Sequence, residues 1–286
     1  MRWILPLAGA ALAIAPLSYA GSQAPARNLA MDFRTTVTIS GVPDTGLIQG
    51  HAVGTADKMR MDLTLKGPGA QVSPLGGASG QIALILSDSG KTVTYLDATS
   101  SKYLRVKPAE MLAQAQQSGQ MTMKFSDTQA TVDNLGAGPS ILGHPTSHYR
   151  VGTGMTMTIA AMGQEQTVKI SSTADYYYAN DIKGVVNPFA SLTGSDYSAM
   201  FGTANKEFAD KLKLAQQKLP KSTPLRASTV ATMVAQGQTR VTNTQAEVTS
   251  VQWVDAKPGL FDVPAGYTPV ALPGMSGAPG AAIPPK

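Results

Sequence analysis

The chain contains no cysteine. That absence excludes disulfides, thiol nucleophiles, zinc–thiolate sites and an acylated N-terminal Cys together. Charge is scarce as well: 14% of the 286 residues are Asp, Glu, Lys or Arg, against about a quarter in an ordinary globular domain. The 23 basic and 18 acidic residues leave a formal charge of +5. No dense Lys/Arg stripe interleaved with aromatics accompanies that surplus, so nucleic acid is not an expected partner. Beyond the N-terminus no stretch is apolar enough for a spanning helix, and none is expected.

Catalytic signatures are missing too. Gly77-Ala78-Ser79-Gly80 does not fit a G-x-S-x-G elbow, and there is no P-loop. Gly136-Ala137-Gly138 lacks the third glycine of a dinucleotide site. The three histidines are His51, His144 and His148. His144 and His148 would face one side of an extended strand, but Pro145 intervenes and no carboxylate is near in sequence. A strand-entry turn suits them better than a metal clamp. No catalytic residue, metal site or cofactor is expected, and the chain does not read as an enzyme.

The first twenty residues do carry a signal. Arg2 precedes an apolar run from Trp3 to Leu17, and Ser18-Tyr19-Ala20 gives a small-x-small cleavage site. Cleavage after Ala20 and a periplasmic or secreted location are therefore expected. A lead-in over 21–27, one domain over 28–267 and a flexible Pro/Gly/Ala-rich tail over 268–286 complete the layout.

Three methionine pairs stand out: Met59/Met61, Met121/Met123 and Met155/Met157. In a strand, residues two apart share a face. Tyr149, Val151 and Ile159 fall on the face of the third pair. Unbranched, polarizable thioethers can repack around guests of variable shape, so these nine residues are candidates to line an apolar groove. Filled core is the plainer alternative. Copper binding by thioethers is a weaker one, because the pairs alternate with Thr, Asp and Lys inside strands.

Period-two patterns bounded by turn residues place strands at 31–39, 59–65, 82–86, 93–96 and 103–106. Two long hairpins follow, 148–161 with 167–178 and 228–235 with 239–254. Strands of about 12 residues span roughly 40 Å, and sheets of such strands twist and curl. A first helix is expected from Pro108 to Gly119, with Met111, Leu112 and Ala115 as its stripe. A second, from Thr203 to Leu219, aligns Phe208, Leu212, Ala215 and Leu219 as a lid-like apolar face. Its lysines, paired with Glu207 and Asp210, read as a solvated face with some capacity for anionic lipid headgroups. The fold class is thus mainly β with covering helices: a strongly curved antiparallel sheet, an incomplete half-barrel with a helical lid.

Several segments together resemble an uncharacterised bacterial family, domain of unknown function 4412. They are Lys58-Met59-Arg60-Met61-Asp62, Thr94-Tyr95-Leu96-Asp97, Gly138 through Val151, Asn187-Pro188-Phe189 and Leu260 through Tyr267. That family is similar in layout to the lipoprotein carriers LolA and LolB, which enclose acyl chains in an incomplete barrel closed by helices. The resemblance implies a non-catalytic binding protein for a lipid, acyl chain or other hydrophobic small molecule; with the signal sequence and the lysine-bearing helix, an exported monomer with transient membrane-surface contact is expected. It brings no catalytic residues, and the acylated Cys of LolB-type proteins has no counterpart. An envelope structural or interaction protein is the alternative; an unseen hydrolase ranks below it.

Overall fold

The computed structural model describes residues 27–67, 80–117, 121–161, 164–183, 205–255 and 257–270. The expected signal sequence, most of the lead-in, the Asn187-Pro188-Phe189 segment and the tail beyond 270 lie outside these residues. Strands dominate what is described. They are β1 (Arg27–Ile39), β2 (Gly46–Gly54), β3 (Met59–Lys66), β4 (Gln81–Ser87), β5 (Thr92–Asp97) and β6 (Lys102–Val106), then β7 (Met121–Ala137), β8 (Thr146–Ala161), β9 (Gln164–Lys183), β10 (Ser222–Ala235), β11 (Gln238–Asp255) and β12 (Thr268–Pro269). Helix α1 spans Pro108–Gln117 and α2 spans Lys206–Gln217. No helix among the described residues is long and apolar enough to cross a membrane.

All the strands join one open sheet in the order β12-β6-β5-β4-β3-β2-β1-β11-β10-β9-β8-β7. Two antiparallel meanders, β1 to β6 and β7 to β11, meet where β1 pairs with β11 from Arg27↔Asp255 to Ile39↔Thr242. Thr268 and Pro269, the expected start of the flexible tail, pair parallel with Lys102 and Tyr103 at the far edge. The tight turns follow their chemistry. Gly41, Gly90 and Gly237 take positive φ at hairpin ends, where a side chain would be strained.

Alternation gives the sheet one apolar face. Leu29, Met31 and Phe33 of β1, Ala52 of β2, Met59 and Met61 of β3, and Ala246 and Val248 of β11 are buried together. Gly50 of β2 makes this packing possible, since it sits opposite Phe33 and Leu63. A Cβ there would overlap the Phe33 ring and lie 2.7 Å from Leu63 Cδ2. The glycines of β2 weaken its strand signal, and sequence reading leaves 46–54 unassigned for that reason.

The long strands also extend beyond expectation. β8 and β9 reach 16 and 20 residues, and β7 runs for 17 residues with a break of register between Ser126 and Gln129. Helix α2 begins behind an Asn205 cap, whose side chain accepts from the Phe208 amide at 3.0 Å. The expected start at Thr203 lies outside the described residues.

Gly50→Ala is expected to destabilise the protein by about 1–3 kcal/mol through overpacking. The companion change Gly41→Ala, whose added Cβ would meet no atom within 4 Å, strains only a surface turn. Urea midpoints measured on both variants check this; equal, small losses would show that the Phe33 ring has room to move.

Candidate binding site

Pairing register decides which methionines meet. Met59 and Met61 oppose Gly54 and Ala52 on one side and Leu86 and Leu84 on the other. Both are fully buried, inside the cluster that holds Leu29, Met31 and Phe33. These two are core packing in this arrangement.

Met123, Met155 and Met157 belong to a different cluster. Buried Met155 packs with Phe208 and Leu212 of α2, and Met123, Phe125, Ala130, Met157 and Ile170 gather at the margin. Phe125 opposes Met157, which opposes Val168; Met155 opposes Ile170, which opposes Met233. Met123, Phe125, Met157, Ile159 and Ile170 stay half-buried, and Met233 is 38% exposed. The side chain of Met121 lies outside the described residues. Six methionines that share strand parity therefore do not share one groove.

Between the clusters runs a rung of small residues, Ala130, Thr153, Ser172 and Ala231, each opposite the next. Past that rung the face turns aromatic. Tyr149 meets Tyr178 edge-on with ring centroids 5.8 Å apart, and Tyr176 lies 5.8 Å from the same ring. Burial, above all, pushes the Tyr178 phenol far above its ordinary range, so it stays neutral. Tyr149 and Val151 are half-buried against the main core. Two of the nine expected lining residues thus sit beside the tyrosine cluster, apart from the methionines under α2.

Helix α2 covers the methionine end as its periodicity implies. Phe208, Leu212 and Ala215 are buried, while Leu219, beyond the last turn, packs against the main core. The break in β7 supplies an anchor that the sequence does not announce. Asp127 takes φ +51, and Asp127 and Thr128 drop out of the pairing with β8. The Thr128 carbonyl and hydroxyl then accept from Lys211 Nζ at 2.9 and 3.2 Å. Lys211 also pairs with Glu207 at 2.7 Å, so it is tethered to the sheet rather than left in water.

The opposite face is polar and tightly cross-linked. Arg150 donates two hydrogen bonds to Asp175 at 2.9 and 3.1 Å. His148 Nε2 lies 3.0 Å from the same carboxylate, and its ring stacks on Tyr177 at 4.5 Å. Arg226 approaches the Tyr177 ring at 5.9 Å and is paired with Glu247. His144 closes the tight Ile141–His144 turn and bonds Asp181 at 2.8 Å. The two histidines thus hold separate carboxylates. Among the described residues no group of three or more His, Asp or Glu is arranged for a metal ion. A cleft of about 670 Å³ on this face is lined by Asp32, Arg34, Gln49, His51, Asp62 and Glu247 among others, so its walls are charged.

The Arg150 guanidinium, with help from His148, holds the Asp175 carboxyl below the usual carboxylate range. A lowered folded-state value stabilises the protein above the unfolded value, near pH 4, and that contribution is lost as pH falls further. Asp175→Asn is expected to cost on the order of 1 kcal/mol at pH 7. Its deficit should close between pH 4 and 2 in denaturation curves run against the parent. A deficit unchanged across that range would assign the loss to packing instead. No protein-family model matches the chain, and no curated protein matches it in sequence.

Proposed function

We propose that the protein is a non-catalytic binding protein for an acyl chain or a similar apolar small molecule, held on the methionine-rich end of its apolar face beneath α2. The observation that carries this reading is incomplete coverage. Met123, Phe125, Met157 and Ile170 pack only partly buried against the cluster under α2, and their strand partners Ile159, opposite Met123, and the exposed Met233, opposite Ile170, extend that apolar margin. A filled core would bury them as it buries Met59 and Met61. Thioethers at the margin let it reshape around a flexible chain. Each buried methylene contributes about 0.8 kcal/mol, which is enough for a long chain to offset its own ordering.

In this reading the long strands curl into an incomplete barrel and α2 is its lid, the arrangement implied by the resemblance to the LolA and LolB carriers. Export through cleavage after Ala20 belongs to the same proposal, because a free apolar ligand carrier acts where membranes face water. The charged cleft on the opposite face suits no apolar guest, so the two faces divide their tasks.

A fluorescent fatty acid titrated into the purified protein is expected to bind saturably. Met157→Asp, on the margin, should abolish that signal, whereas Thr158→Asp, on the opposite face, should keep it. Equal behaviour of the two variants, with both still folded by circular dichroism, would sink the assignment.

Lid motion has its own readout. Amide exchange in 205–218 should outpace that in 146–161 and slow when the fatty acid is added. Lys211→Ala, which cuts the tether to Thr128, should speed it further. Exchange as slow as in the central strands, and indifferent to ligand, would make α2 fixed core.

A further inference from the structure

We infer that the outward flank of α2 is a docking surface for an anionic lipid bilayer. Leu214 is 61% exposed, more than any other large apolar residue described. It stands one helical turn from Lys218, so the two share one flank. The basic residues are unevenly compensated. Lys206 pairs with Asp210 and Lys211 with Glu207, which uses both acids of the helix. Lys213, Lys218 and Lys221 have no ion pair among the described residues and are exposed. Segment 206–221 therefore carries three uncompensated positive charges together with one exposed leucine.

That combination fits a bilayer interface. A leucine reaches the headgroup–acyl boundary, and lysine stems lie along apolar surface while their ammonium groups meet lipid phosphates. Zwitterionic lipid lacks the net charge to attract the lysines, so the partner is an anionic membrane surface. One leucine and three lysines make contact brief rather than permanent. The inner flank of the same helix, Phe208, Leu212 and Ala215, rests on the methionine cluster. Docking would thus bring the proposed acyl site to the membrane surface. This inference rests on the proposed function for its purpose, but its geometry stands without it.

The test is co-sedimentation of the full mature chain with vesicles of phosphatidylcholine alone or with 30% phosphatidylglycerol, in low salt and in 0.5 M NaCl. At least fivefold greater binding to the anionic vesicles is expected, falling to the phosphatidylcholine level in high salt. Lys213→Glu with Lys218→Glu should abolish the difference, and Leu214→Ser should reduce it severalfold. All three positions are exposed, so the variants should fold, and the fatty-acid titration checks that they do. Equal binding to both vesicle types, or undiminished binding by the double variant, overturns the inference. For the unmodified chain, no preference for anionic vesicles with fatty-acid binding intact overturns this surface alone, whereas that preference without fatty-acid binding overturns the apolar site and leaves the surface standing.

Discussion

The sheet depends on the pairing of β1 with β11. Each meander can form from near neighbours in sequence, but neither alone completes the apolar face. The junction joins residues 27–39 to 242–255 through thirteen partner pairs. At its centre Phe33 lies opposite Val248, above the space that Gly50 leaves open. Such a contact closes a loop of more than two hundred residues, so its entropy cost falls late and the rest of the chain must be folded to meet it. Leu29, Met31, Met59, Met61 and Val248, all among the largest fully buried side chains described, cluster around this junction.

With that centre fixed, the two ends of the sheet are free to differ. Near the junction, methionines are locked between strands and behave as core. At the β7 end the sheet stops, and no further strand among the described residues covers its last members. A helix covers them instead, contributing buried Phe208 and Leu212, each about 2 kcal/mol of apolar burial. A helix is narrower than a sheet face, so the margin from Met123 to Met233 stays partly open. Identical residue types thus acquire different roles from their distance to one pairing.

Much of the fold was legible and little of the site was. Long alternating runs such as 148–161 and 228–235 declare themselves because period two is a local property. The apolar stripe of α2 is legible for the same reason. β2 was not, because Gly46, Gly50 and Gly54 suit their neighbours rather than their own strand. Parity put all six methionines on candidate faces, but parity is silent about which strands adjoin. Separation of Met59 and Met61 from Met155 and Met157 comes from the strand order alone. The Lys211 tether and the Asp175 cluster join residues 83 and 25–27 apart in the chain, beyond any spacing rule.

The bulge in β7 links these themes. An edge strand of 17 residues is a template for unwanted pairing unless something blunts it. Two residues leaving the ladder at Asp127 and Thr128 interrupt the edge, and the Thr128 carbonyl so released becomes the seat of Lys211. The device that interrupts the edge is the same one that positions the helix over the methionines. Asp127 secures the bulge by accepting from Thr156 at 2.9 Å, beside the strand positions of Met155 and Met157. Edge protection, helix placement and the open apolar margin are consequently not three separate features. A change that straightened β7 would lengthen the exposed edge, cut the tether and shift the cover of the proposed site in one step.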